Sequence, residues 1–335
     1  MYKKLHFLTN SDVIQSSVNS FIEEWLNDSD YITVQSSGST GKAKNIRLNK
    51  KYVRISAQKT IDHFKIKKGG RSYLCLSADT IGGKMMIVRS IINEMELIVG
   101  NIRTHSLVEV KSFEIDFAAI VPLQLAHSLE NIPEKIKNIK TLLVGGGSVS
   151  KKIEEQMILN NCSAYQTYGM SETISHVAVR KLGIGSERYY SALREISFTT
   201  EEEKLVIHFP EIGVDSLKTN DLVRLINHHQ FEFIGRADFI INSGGKKFNP
   251  EVLESLISSI IDIPYFIGAL NDELLGSRII LFLESENNID EKRLIEKLKL
   301  MMPNHSVPKK IICTPRFILT KSGKINRHET IKLII

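Results

Sequence analysis

"TLLVGGGSVSKKIEEQMILNNCSAYQTYGMSET", residues 141–173, is the stretch whose reading decides the fold. It opens as an apolar β-prone run and breaks at Gly145, Gly146 and Gly147. It then passes through the helical stretch "SVSKKIEEQMIL" and returns to a β-prone run, "CSAYQTY". Strand, helix and strand at this spacing predict a parallel crossover unit. The same alternation extends toward the N-terminus through "SYLCLSA", "GGKMMIVRSIINEM", "ELIVG" and "FEIDFAAIVP". Strands that are apolar along their length belong to sheets covered by helices on both faces. Residues 72–168 therefore predict an α/β fold with parallel αβ layers. Ligands of such sheets sit beyond the carboxyl ends of the strands. Three segments fall there: Ser77–Gly83, Gly145–Ser148 and Thr167–Thr173.

Past residue 190 the texture changes. "EISFTT", "KLVIHF", "DLVRLI" and "FEFIG" are short strands divided by polar turns, which predict a small antiparallel β subdomain. After Gly235 a separate α+β unit is expected. Asn249 is placed to cap a helix that starts at Pro250, with Val252, Leu253, Leu256, Ile257 and Ile260 as its apolar face. "FIGAL", "IILFLE" and "KIICTP" read as strands around the helix "EKRLIEKLKLMM". The expected organisation is an N-terminal domain over 1–235, a hinge over 236–239 and a C-terminal domain over 240–335.

The chain has 335 residues, 42% hydrophobic and 24% charged, an ordinary composition for a globular protein with core for two domains. No apolar run reaches membrane-spanning length, and "MYKKLHFLTNSD" lacks the apolar stretch of a signal peptide. A cytoplasmic chain without membrane contact is expected. Cys75, Cys162 and Cys313 stand far apart without metal-ligand spacing, which fits a reducing compartment. The net charge of +6 suits an anionic partner. Scattered lysines without interleaved aromatics point to a small anion rather than a nucleic acid.

"VQSSGSTGKAKNI", residues 34–46, is built for such an anion. Ser36, Ser37, Ser39 and Thr40 supply hydroxyls, Gly38 and Gly41 let amides converge, and Lys42 and Lys44 add charge. A phosphate chain fits. The loop is not a Walker A motif, because two residues separate its glycines and Ala43 follows Lys42. In "YQTYGMSET", Glu172 could hold a magnesium ion and Tyr168 could face a purine, or Ser171 could simply cap a helix. On a helix, His176 would share a face with Glu172. Asp221 in "TNDLVRL" either ends a turn or accepts a ribose diol. "FIGRADFIINSGGKKFNPEVLE", residues 233–254, brings Arg236, Asp238, Gly244 and Gly245 to the junction, and "LTKSGKINR" carries Lys324.

Five such segments in this order resemble the adenylate-forming superfamily of acyl- and aryl-CoA synthetases, peptide-synthetase adenylation domains and luciferases. The family's phosphate loop ends in Gly-x-Pro-Lys, where this chain reads Gly41-Lys42-Ala43-Lys44. Its Tyr-Gly-x-Thr-Glu is Tyr168-Gly169-Met170-Ser171-Glu172, its Thr-Gly-Asp is Thr219-Asn220-Asp221, its Gly-Arg-x-Asp is Gly235–Asp238, and its terminal Gly-Lys is Gly323-Lys324. One departure is large. Family members carry a further subdomain ahead of the phosphate loop, and this chain has about thirty residues there. The resemblance thus implies the adenylate-forming fold without most of its N-terminal subdomain and with a mobile C-terminal domain. A partner subunit, in the simplest case a second copy, is expected to cover the shortened face. In length, in "SSGSTGKAK" and in "IGGKMMIVR" the chain resembles the compact branch that activates o-succinylbenzoate for menaquinone synthesis.

What the resemblance implies is an ATP-dependent, AMP-forming ligase with Mg²⁺ and coenzyme A. Ser36–Gly41 and Lys44 would hold the pyrophosphate that leaves. Gly145–Gly147, Gln166, Thr167, Tyr168, Gly169 and Met170 would surround the adenine, and Asp221 with Arg236 the ribose. Glu172 would bind magnesium, beside Ser171, and Lys324 would bridge the carboxylate and the α-phosphate. Rotation at Asp238 would then bring Gly244, Gly245 and Lys246 to the pantetheine arm of CoA. Gly82, Gly83, Lys84, Arg89 and His176 are the acyl-pocket candidates, with Lys84 or Arg89 either anchoring a second carboxylate or lying solvated. Another aryl- or acyl-CoA ligase, a carrier-loading adenylation domain, and a non-catalytic nucleotide-binding subunit remain open alternatives.

Overall fold

The computed structural model describes residues 2–35, 45–110, 114–287, 289–320 and 325–334. Among the described residues a twelve-stranded sheet organises the chain up to Arg236, apart from a separate hairpin of Tyr31–Gln35 and Asn45–Asn49. From one edge it runs Leu5–Phe7, Glu96–Val99, Arg71–Leu74, Ile115–Ile120, Ile139–Val144 and Ser163–Gly169, all parallel. The apolar runs become these strands because helices cover both of their faces. Helices Asp12–Leu26, Lys50–His63 and Ile81–Ile92 enclose one core, built on Phe21, Trp25, Val53, Met85, Met86 and Phe117. Helices Pro122–Asn131 and Lys151–Leu159 enclose the other, around Tyr73, Leu125, Leu142 and Met157.

The antiparallel part is not a sheet of its own. Strand His176–Gly183 pairs antiparallel with Ser163–Gly169 and also with Tyr190–Ala192. The sheet then continues through Gln230–Arg236, Val214–Asn227, Lys204–Phe209 and Ser197–Glu201. It must also curl. Tyr168 and Asp221 lie on strands four steps apart in the sheet order, yet the Tyr168 hydroxyl donates to Asp221 Oδ2 at 2.5 Å. In a flat sheet those strands would stand roughly 19 Å apart, at about 4.8 Å per step. The inside of the curl is filled by Tyr190, Phe198, Phe209 and Phe231.

After residue 240 the chain builds separate cores. A hairpin of Ile241–Ser243 and Lys246–Phe248 leads to helix Pro250–Ile257, and Asn249 accepts from the amide of Glu251 at 2.9 Å as its cap. Leu253 and Ile257 are buried, but Val252 and Leu256 are 41% and 38% exposed. The apolar face is thus narrower than the periodicity implies, because the helix ends at Ile257, and Ile260 packs against the same core from beyond its end. Strands Tyr265–Asp272, Gly276–Glu284 and Lys310–Thr314 pack with helix Glu291–Met301. Among the described residues no helix is long and apolar enough to cross a membrane.

Candidate active site

The carboxyl ends of the parallel strands gather the three segments expected there. After Arg71–Leu74 comes helix Ile81–Ile92, capped by Thr80, whose hydroxyl accepts from the amide of Gly83 at 3.2 Å. A Cβ on Gly83 would lie 2.0 Å from the carbonyl oxygen of Ser77. The glycine therefore lets the helix close onto the turn before it, rather than opening room for a ligand. Lys84 and Arg89 project about 140° apart around this helix. Lys84 pairs with Glu24 at 3.3 Å and lies over the Phe21 ring at 4.1 Å. Arg89 points the other way, 2% exposed, and donates from Nη2 to Ser175 Oγ at 2.7 Å. Its Nε has no partner, and no carboxylate among the described residues pairs with it. Burial pushes its pKa down to about 9.

Ser175 belongs to a turn that sequence reasoning did not foresee. Ser171–Thr173 is a single 3₁₀ turn, and Ile174 follows at φ 68°, ψ −51°. The Ser175 amide donates to the Thr173 carbonyl at 2.7 Å, which closes a γ-turn. A β-branched residue held in that strained form costs about 1–3 kcal/mol. The turn is held by the buried Thr173 hydroxyl, which accepts from the Met170 amide at 3.1 Å. The helix on which Glu172 and His176 would share a face does not form, because Ile174 reverses the backbone and His176 begins a strand. Glu172 is exposed and His176 is buried.

His176 completes a directed chain. Arginine only donates and a carbonyl only accepts, so the protons run from Arg89 to Ser175, from Ser175 to His176 Nδ1, and from Nε2–H to Thr60 Oγ1. Thr60 then donates to the carbonyl of Ser56. The imidazole is neutral, its pKa held well below the ordinary value by burial and then by Arg89 and His63.

The nucleotide candidates sit on neighbouring strands. Gly145–Gly147 follow strand Ile139–Val144, with the Gly145 amide donating to Ile120 at 3.0 Å. Thr167 Oγ1 donates to Val144 at 3.3 Å and Gln166 Nε2 to Gly147 at 3.2 Å. Asp221 does not start its strand. It lies inside Val214–Asn227, directly opposite Arg236, whose Nη1 pairs with Oδ1 at 3.1 Å. The other fork of Arg236 reaches Asp238 at 2.6 Å. Tyr168 packs edge-on against Phe231, and burial together with Asp221 lifts its hydroxyl far above the ordinary tyrosine range. Gly244 and Gly245, at φ 55° and 75°, form the two-residue turn of their hairpin, a conformation that requires positive φ at both positions. Lys246 beside them is exposed.

The phosphate-loop residues Ser36, Ser37, Gly38, Ser39, Thr40, Gly41 and Lys44 lie outside the described residues, as does Lys324. Strands Tyr31–Gln35 and Asn45–Asn49, which flank that loop, pair antiparallel. Among the described residues no three His, Cys, Asp or Glu side chains gather as a metal cage. Magnesium suits a single carboxylate plus substrate phosphates and water, and Glu172, exposed and without an ion pair among the described residues, is the candidate for it. Thr60, Ile174, Ser175, Arg180 and Glu154 escaped sequence reasoning, since a lone hydroxyl, a strained turn and an ion pair between distant elements carry no spacing signal.

A glycine loop at a strand end and a half-buried tyrosine bonded to an aspartate that pairs with an arginine form a candidate nucleotide site on an adenylate-forming fold. The family model for AMP-binding enzymes matches residues 5–195, over half of the chain, and the chain belongs to that family. It is similar to the 2-succinylbenzoate–CoA ligase of Listeria monocytogenes, 27% identical over 57% of this chain and 45% of that one. The enzyme of the same name from Bacillus cytotoxicus is 21% identical over 90% of this chain and 69% of its own. The chain thus spans only part of the length of these relatives. An acyl-CoA synthetase (AMP-forming)/AMP-acid ligase II-like protein from Dyadobacter fermentans superposes with TM-score 0.63 at 29% identity, over 97% of this chain and 95% of that one. The o-succinylbenzoate–CoA synthetase of Bacillus subtilis, solved with ATP and magnesium, shares the fold with TM-score 0.77 at 20% identity, over 89% of this chain and 69% of that one.

Proposed function

We propose that the chain is an AMP-forming acid–CoA ligase whose acid is o-succinylbenzoate, serving menaquinone synthesis. One observation carries the choice of acid: Arg89 is buried at the sheet's carboxyl edge without a carboxylate partner among the described residues. A buried cation without a counter-ion is costly unless a ligand supplies the opposite charge. An acid with a second carboxylate does so and leaves its first free to react. The names of the relatives agree with this reading.

In the first half-reaction the acid's free carboxylate attacks the α-phosphorus of ATP, and pyrophosphate departs. Asp221 and Arg236 hold the ribose, Gly145–Gly147 receive the adenine, and Arg89 fixes the far carboxylate so that the near one is in line. Magnesium, held by Glu172, would neutralise charge on the phosphates. In the second half-reaction the CoA thiol attacks the acyl carbonyl and AMP leaves. Lys324 belongs to the first step, and rotation at Asp238 to the passage between them.

The test is pyrophosphate release from Mg-ATP with o-succinylbenzoate, benzoate or a medium-chain fatty acid, with and without CoA. Selective release with o-succinylbenzoate, and a thioester once CoA is added, is the expected result. Release with benzoate at equal efficiency would overturn the choice of acid. ATP binding without release from any acid would favour a binding subunit. Association of two copies is checked by sedimentation on the same sample, where a monomer ends that idea.

A further inference from the structure

We propose that Asn249 and Glu251 form a polar latch that clips the C-terminal unit onto the open edge of strand Gln230–Arg236, just ahead of the hinge. On that edge the strand pairs with Tyr190–Ala192 only at Gln230 and Phe231. Past Phe231 the edge has no strand neighbour, and the Ile234 carbonyl and the Arg236 amide there need partners. Side chains of the C-terminal unit supply them. Asn249 Nδ2 donates to the Ile234 carbonyl at 3.1 Å, and the Arg236 amide donates to Glu251 Oε2 at 2.7 Å. Residues two apart present their backbone groups to the same side of a strand. Asn249 and Glu251 thus take the place of a missing strand.

Gly235 lies between these two bonds. A Cβ on it would meet Asn249 Nδ2 at 2.2 Å and Glu251 Oε2 at 2.4 Å, and the residue holds φ 156°. Latch and glycine fit each other, because any side chain at 235 would pry both groups off the strand. Both latch residues stand at the start of helix Pro250–Ile257, and Asn249 Oδ1 caps that helix at the same time. The latch therefore grips through a regular element rather than a loop.

Little else holds the two units in this orientation. Among the described residues no buried apolar cluster spans the hinge: those of the N-terminal unit end at Phe231, and those of the C-terminal unit start at Ile241. Lys152 pairs with Asp262 between the units, but both side chains are exposed and such pairs contribute little. Arg327 lies over Phe239 at 5.0 Å, which reaches only the hinge itself. Units joined through a polar contact of this kind are free to move once it opens. Ile234 and Arg236 come before Asp238, and Asn249 and Glu251 come after it. Rotation at Asp238 must therefore break both bonds. The latch's part in the passage between half-reactions rests on the proposed function. The latch itself is read without any substrate, so the two fail separately.

The experiment is single-molecule energy transfer, without ligand, between dyes on Cys313 and on Val13→Cys. Cys313 is the exposed one of the three cysteines, and position 13 is 79% exposed in the N-terminal unit. With the latch intact one transfer efficiency should dominate. Glu251→Ala should raise the minor population relative to it by roughly 10-fold or more, the range for a hydrogen bond to a charged group. Glu251→Gln keeps an acceptor for the Arg236 amide and should shift the ratio clearly less. Gly235→Ala should shift it as far as Glu251→Ala, although both latch residues remain. A distribution unchanged by Glu251→Ala, or already broad before any substitution, would overturn the proposal. Equal shifts from Glu251→Gln and Glu251→Ala would overturn it too, since the bond to the amide would then hold nothing. Far-UV circular dichroism shows which variants fold, and Glu251→Ala carries the test alone if Gly235→Ala does not.

Discussion

Replacing Arg89 with methionine should move stability and catalysis in opposite directions. In the free protein the guanidinium is 2% exposed, its Nε is unpartnered, and burial brings its pKa down to about 9. Each tenfold of such a fall corresponds to about 1.4 kcal/mol, so keeping this group charged is disfavoured by on the order of a few kcal/mol. Methionine fills the same channel without charge and loses only the bond to Ser175 Oγ. The ligand-free variant should melt at least as high as wild type, and higher by a few degrees if about half of that penalty is recovered. With o-succinylbenzoate the sign reverses. Losing one partner of a buried charge pair typically costs about 2–5 kcal/mol, so kcat/KM for this acid should fall by roughly 30-fold or more. The KM for ATP should be unaffected. Calorimetric melting without ligand and initial rates of pyrophosphate release read the two halves separately. A variant that melts lower yet handles o-succinylbenzoate normally would refute the argument, because Arg89 would then be structural.

Gly83→Ala places a methyl group 2.0 Å from the Ser77 carbonyl, so stability should fall by about 2 kcal/mol or more, read by urea unfolding. His176 is held neutral in the fold, with its pKa depressed by burial and then by Arg89. Its contribution is intact above the unfolded value of about 6.5 and is lost as pH falls below it, by up to about 1.4 kcal/mol per pH unit. His176→Gln should flatten that part of the stability profile; an unchanged slope would show that other groups set it. Tyr168→Phe removes a donor to a buried carboxylate, and the KM for ATP should rise several-fold. An unaltered KM would separate this hydrogen bond from nucleotide binding.

The parallel half of the sheet was legible because its strands are apolar throughout and its helices carry the longer period. "FEIDFAAIVP" became Ile115–Ile120 and "SVSKKIEEQMIL" became Lys151–Leu159 with little lost at the ends. His176–Gly183 was missed, since "HVAVRKLG" follows a motif that resembles a helix start. The break lies at Ile174, whose positive φ accompanies short-range hydrogen bonds of the Thr173 hydroxyl to Met170 and Ser175 and reflects no preference of isoleucine. Asp221 and Arg236 were both legible as candidates, but their cross-strand register was not. The sequence left Lys84 and Arg89 equal, and the fold separates them because Glu24 and Phe21 lie on only one side of the helix. Gln166 was legible as a nucleotide-site candidate, but its bonds to Gly147 and Arg180 were not, because they join residues from three separate elements.

The curl of the sheet makes the Tyr168–Asp221 end of the candidate site an arch. Tyr168 and Asp221 meet across its span, and Phe231, on which the Tyr168 ring rests at 5.0 Å between centroids, sits beneath it like a keystone. An arch transmits load along its whole length. Trimming Phe231 to leucine should therefore open the span and weaken adenosine binding without any change to a residue that touches the nucleoside. In such a site affinity is a property of curvature, and variation far out on the antiparallel strands can retune it while every binding residue stays as it is.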